Sequence, residues 1–139
     1  MTHAPDIRFE DPITELLFSA LGQARAARKL LEHDLLPLLA HTRRPFSTAL
    51  ARRCVPEQMF APEFLRDLDA FLSQLDAAVA AGTHTAVHCD PDTGTTWDEE
   101  YRTDDANALA EAAACLRALI SALERVEDAK QAEAVRGLF

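Results

Sequence analysis

A chain of 139 residues with 48% apolar content has material for one domain with a buried core and too little for two. Alanine supplies much of that fraction and aromatics only 6%, a balance that favours packed helices over a β-sandwich. The formal net charge of −9 argues against direct nucleic-acid binding, which needs basic surface to meet the phosphates.

No run approaches the roughly 20 apolar residues of a membrane span, and the opening MTHAPDIRFEDP lacks a basic segment followed by an apolar one, so the expected location is cytoplasmic. Cys54, Cys89 and Cys115 are odd in number and form no CxxC pair, so reduced thiols are expected rather than a disulfide framework or a zinc knuckle. Charge is unevenly placed. Residues 1 to 60 hold eight Lys/Arg against seven Asp/Glu, whereas 61 to 139 hold six against sixteen, giving +1 and −10. Such asymmetry suits either internal pairing or an oriented contact with a partner.

Residues 1 to 10 read as a loosely held arm, with Ile7 and Phe9 able to tuck against the body. Asp11-Pro12 then starts a helix, Asp as N-cap and Pro at the first helical position. Ile13, Leu16, Leu17, Ala20, Leu21, Ala24, Ala27, Leu31, Leu35 and Leu38 keep the three-and-four spacing of one buried face. Pro37 predicts a kink there, or a break followed by a short turn to His41, and His33 beside it reads as a polar helix-end residue.

The segment from Thr42 to Pro56 is basic, with Arg43, Arg44, Arg52 and Arg53 and no acidic residue. Ser47 is a candidate cap for a short helix ending near Cys54. The four arginines can receive an acidic partner, and equally can pair with the acidic second half of the chain. Ala61-Pro62-Glu63 opens a further helix whose stripe of Phe64, Leu65, Leu68, Phe71, Leu72, Leu75 and Val79 reads as core, with Gly82 as its C-cap.

The stretch from Thr83 to Tyr101 does not read as helix. It holds the only Trp and the only Tyr, two of the five His and one of the three Cys. Asp90-Pro91-Asp92-Thr93-Gly94 is a turn between two alternating runs, so a β-hairpin is predicted. A loop over 90 to 94 sets Val87 opposite Trp97 and His84 opposite Glu100. Val87, Cys89 and Trp97 then share a face that lids the helices, while His84, His88, Asp98 and Glu100 share the other.

That polar face carries the chemical candidates. His and carboxylate are zinc ligand types, but His84 and His88 lie about 13 Å apart on a strand at roughly 3.3 Å per residue, which strains a shared ion. A base such as His84 oriented by Glu100 has no accompanying nucleophile motif, and a strand turns Cys89 away from His88. The remaining reading is an acidic hairpin that resists strand pairing or meets a basic partner.

Thr103-Asp104-Asp105 caps the last helix, in which Leu109, Ala112, Leu116, Leu119, Leu123 and Val126 repeat as a heptad-like seam asking for a partner helix. Residues 130 to 139 bury little and read as a tail free to fray.

The chain is therefore expected to be a mainly α single domain over residues 1 to 139, a small helical bundle with one inserted β-hairpin. The function expected is protein–protein interaction or regulation by binding another protein, as a homodimer, through Arg43, Arg44, Arg52, Arg53, Asp98 and Glu100. The alternatives are a zinc or similar divalent metal at His84 and His88, serving binding or catalysis, and an acidic mimic of nucleic acid.

Overall fold

The computed structural model describes residues 12 to 137. The expected arm over residues 1 to 10 and the expected cap Asp11 lie outside these residues. The fold class is the one composition predicts: a mainly helical bundle interrupted by one two-stranded antiparallel hairpin.

Helix α1 spans Pro12–Lys29, with Glu15 near its positive end and Arg28 and Lys29 in its last turn. Ala20, Ala24, Ala27, Leu31 and Leu35 are buried on the predicted face. The apolar pattern runs on past Lys29, but the α-helical ladder does not. Pro37 lacks an N–H and would clash one turn back, so the chain leaves α geometry before reaching it. Leu30–Asp34 form a wide π turn in which the Leu35 N–H donates to the Leu30 carbonyl at 2.9 Å, and Leu36–Leu38 and His41–Arg43 are 3-10 turns.

That wide turn explains Ser47. An α-helical Leu35 N–H would have reached Leu31; here the buried Ser47 hydroxyl donates to the Leu31 carbonyl at 2.7 Å. Ser47 is therefore not the cap predicted for its own helix. Helix α2, Arg44–Arg52, starts earlier, with Pro45 in its first turn, because Pro is preorganised for a helix start and gives up no donor there.

Helix α3, Pro62–Ala81, buries Phe64, Leu68, Phe71, Leu72 and Leu75, as its stripe predicts. Strands β1, Thr83–Cys89, and β2, Thr96–Arg102, form the hairpin, and α4, Asp104–Arg136, completes the chain. The Thr103 hydroxyl accepts from the Ala106 N–H at 3.1 Å and caps α4 as predicted.

The α4 seam, Leu109 through Val126, is wholly buried against α1 and α3. Its partner helices thus come from the same chain, which removes the seam as a reason for dimerisation. Small side chains on α1 let this antiparallel pack come close. By length and composition α4 is also apolar enough to cross a membrane, although its apolar face is the one used in the core. Its last turns remain helical to Arg136 and are exposed, with Lys130 Nζ set 4.9 Å over the Phe60 ring at the edge of the packed region.

Gly82 joins α3 to the hairpin. Its φ of −92° is open to any residue, so the predicted glycine cap has a different basis: a Cβ there would lie 2.7 Å from the Ala106 Cβ. The absent side chain lets α4 begin directly beside the end of α3. The Gly82 carbonyl accepts from the Thr103 N–H at 3.0 Å, and the Thr83 hydroxyl donates to the Val79 carbonyl at 2.7 Å. These bonds fasten the base of the hairpin to the bundle.

Candidate interaction site on the hairpin

The turn decides which side chains meet. Asp90 donates its N–H to the Thr95 carbonyl at 2.8 Å, and Gly94, at φ +73°, donates to the Asp90 carbonyl at 2.8 Å. Asp90 Oδ1 accepts from the Asp92 N–H at 2.9 Å, an Asx turn. Asp90 thus belongs to the ladder, and the loop is 91 to 94, one residue shorter than predicted.

That single residue reassigns the faces. His88 pairs with Trp97, Ala86 with Glu99, and His84 with Tyr101; Val87 pairs with Asp98, and Thr85 with Glu100. Cross-strand partners point to the same side, so His84, Ala86, His88, Trp97, Glu99 and Tyr101 form one face. Val87, Cys89, Asp98 and Glu100 lie on the other. The expected face of His84, His88, Asp98 and Glu100 is therefore divided between the two sides of the sheet, and the expected opposition of His84 and Glu100 is not formed. Nor is Trp97 a clamp on the helices: it is 49% exposed, and Val87 is 71% exposed.

The face that does form is organised around His88. Its ring stacks on Trp97, with centroids 5.5 Å apart and planes at 20°, and meets Tyr101 edge-on at 6.2 Å. His88 Nε2 lies 2.8 Å from the Tyr101 hydroxyl and 3.0 Å from Glu99 Oε2. The Tyr101 hydroxyl donates to the same Glu99 oxygen at 2.8 Å, a bond that holds the phenol above its ordinary pKa of 10.0. Two aromatic rings, an imidazole and a carboxylate thus support one another on an open surface.

Such a group fixes orientation and offers both stacking area and polar contacts. Cys89 does not join it: it points to the opposite face, with its thiol directed 3.8 Å toward the Asp90 carbonyl. Among the described residues no three or more His, Cys, Asp or Glu side chains gather as a metal-holding set. His84 and His88 share a face but remain separated along the strand, at about 3.3 Å per residue.

The basic segment also divides. Arg53 donates to Asp67 at 2.6 Å, with its guanidinium 5.3 Å over the Phe64 ring, so it is bound within the bundle. Arg43 and Arg44 lie at the start of α2, and Arg52 lies in its last turn. Arg44 Nη1 is 3.5 Å from His41 Nδ1, and its Nε is buried without a hydrogen-bond partner among the described residues. Arg43 borders a small apolar recess of about 130 Å³ lined by Leu38, Leu39, Phe71, Leu75 and Leu109. Arg52 shares a shallow open surface with His41, Arg44 and Thr48.

Glu99 and Tyr101 are absent from the site residues expected from sequence, although the stretch stood out for holding the only Tyr. A register-free signal marks them nonetheless: Trp97, Glu99 and Tyr101 are two apart, so any strand containing all three sets them on one face. Compared with known proteins, the chain matches no family model, no curated sequence and no solved structure.

Proposed function

We propose that the protein acts by binding another protein and that the hairpin makes the contact. The observation supporting this most strongly is the placement of the only Trp and the only Tyr on a projecting two-stranded sheet, half exposed and braced by His88 and Glu99. The helical core closes without them. Aromatic side chains dominate interface energetics, and an ordered aromatic pair loses little entropy when covered. Glu99 on this face, with Asp90 and Asp92 at the adjoining turn, favours a partner surface that is apolar at its centre and basic at its rim. Arg43, Arg44 and Arg52 are a second, separate contact for an acidic patch, while Arg53 is excluded by its bond to Asp67.

The test is recovery of partners by the full chain in cross-linking pull-downs. Trp97→Ala should weaken capture by about tenfold or more, as expected of a central aromatic anchor, whereas Arg53→Ala should leave it unchanged. Equal capture by the wild type and Trp97→Ala would rule the hairpin face out.

A further inference from the structure

The two outer edges of the hairpin differ in kind. At the two ends of the ladder the Asp90 N–H donates inward to the Thr95 carbonyl and the Thr103 N–H donates inward to the Gly82 carbonyl. The pattern alternates, so His84, Ala86 and His88 turn their backbone groups inward to β2. Thr83, Thr85, Val87 and Cys89 turn theirs outward, and on β2 the outward set is Thr96, Asp98, Glu100 and Arg102. Edge strands are normally guarded by charge, proline or a covering element. β2 carries Asp98, Glu99 and Glu100; β1, THTAVHC, has no charge and no proline. Among the described residues nothing pairs with the outward N–H groups of Thr85 or Val87.

We infer that a second copy of this chain pairs along the free edge of β1, antiparallel, to give a four-stranded sheet ordered β2-β1-β1-β2. The inference rests on reading the hairpin as the binding element and names one of its partners. With the twofold axis through Ala86, Thr85 faces Val87 of the second copy and Thr83 faces Cys89. Every outward position on both strands is then used, and any other register uses fewer. Ala86, the smallest side chain in β1, falls on the axis, where a non-hydrogen-bonded pair brings the chains closest.

Charge selects the occupant. Two copies at −9 repel each other, and β1 is the edge that brings no like charges together. Pairing through β2 would instead stack Asp98 and Glu100 against their equivalents. A basic strand from a different protein would be drawn to that acidic edge, leaving β1 to its own kind. The product is closed: both ends of the new sheet are acidic strands, so association stops at two. The axis stands perpendicular to the sheet, so the bundles lie at opposite ends and both Trp97 and Tyr101 pairs face the same way. A partner would meet that face twice.

Sedimentation of the purified full chain over a range of concentrations tests this without any other partner. The wild type should dimerise reversibly. Val87→Pro removes an outward N–H and no bond between β1 and β2, and should weaken the dimer about tenfold or more. Asp98→Pro, its cross-strand neighbour, makes the same change on the acidic edge and should leave the dimer intact. A wild type that stays monomeric up to roughly millimolar concentration would overturn the inference. So would a Val87→Pro protein that dimerises normally. If both prolines abolish the dimer, oxidation of Ala86→Cys in a Cys89→Ser background decides: Cα atoms about 4.5 Å apart on the axis must give a covalent dimer, and none would reject the pairing. A monomer that still captures a partner through Trp97 rejects the edge alone. A dimer that captures nothing supports the edge and rejects the wider binding role.

Discussion

Gly82→Ala tests how the hairpin is set on the bundle. The backbone accepts alanine at φ −92°, and nothing in the propensity of the site opposes it. The conflict is steric. The new Cβ would sit 2.7 Å from the Ala106 Cβ and 3.0 Å from Thr103 Oγ1, whereas carbon atoms in contact prefer about 3.5 to 4.0 Å. A methyl fixed to the α4 backbone cannot rotate away, so the start of α4 must move by about 1 Å. That motion strains the bond from Thr103 to the Gly82 carbonyl and the Thr103 cap. Overpacking of this kind costs about 1 to 3 kcal/mol, which in a domain of this size lowers Tm by roughly 3 to 10 °C. Urea unfolding followed by circular dichroism reads the free energy, and the double variant Gly82→Ala with Ala106→Gly should recover part of it. A Gly82→Ala protein as stable as the wild type, or a double variant no better than the sum of its singles, would refute the packing argument.

The opposite sign is expected at Gly22, where an added Cβ meets nothing within 4 Å: Gly22→Ala should stabilise the protein by about 0.5 to 1 kcal/mol in the same assay. Ser47→Ala should cost about 1 to 3 kcal/mol by leaving the Leu31 carbonyl without its buried donor, while Ser19→Ala on the exposed side of α1 should stay within about 0.5 kcal/mol. Burial lifts the Cys54 thiol from 9.0 to about 11, against the opposing pull of Arg28 and Arg53. The folded state therefore holds this proton more tightly than the unfolded chain. Its contribution to stability is intact below pH 9 and is lost as pH rises from 9 to about 11, and Cys54→Ala should flatten that decline in melting curves. In native protein at pH 8, a disulfide reagent should modify exposed Cys89 first, then Cys115, and buried Cys54 last; fast reaction at Cys54 would contradict its placement.

What could be read from the chain follows from which signals are local. The faces of α1, α3 and α4 are set by apolar spacing, and Ala20, Leu68 and Leu116 are buried where that spacing puts them. The Thr103 cap is equally local. Pro37 marks a break but not its form, because the choice between a kink and a π turn depends on which donor can reach the freed carbonyl. That donor, Ser47, lies sixteen positions away. The seam on α4 announces a partner helix without saying whose, and the folded chain supplies α1 and α3 itself. Among the arginines, composition cannot separate Arg53 from Arg52; only the docking of α2 against α3 brings Asp67 and Phe64 to Arg53.

The hairpin shows how much chemistry can depend on one loop position. A five-residue loop opposes His84 to Glu100 and suggests acid–base or metal chemistry. The loop over 91 to 94, closed by Asp90 and Thr95, instead sets His88 against Trp97, Glu99 and Tyr101. His88 and Trp97, expected on opposite faces, then share a braced aromatic surface with Glu99 and Tyr101. Gly94, the residue with positive φ, makes the shorter closure accessible, so Gly94→Ala should loosen the turn by about 1 kcal/mol or more. Loosening should raise the exposure and mobility of Trp97 while the helical core, read by far-ultraviolet dichroism, stays intact. Unaltered Trp97 fluorescence in that variant would mean that the turn does not organise the face, and the aromatic arrangement would need another cause.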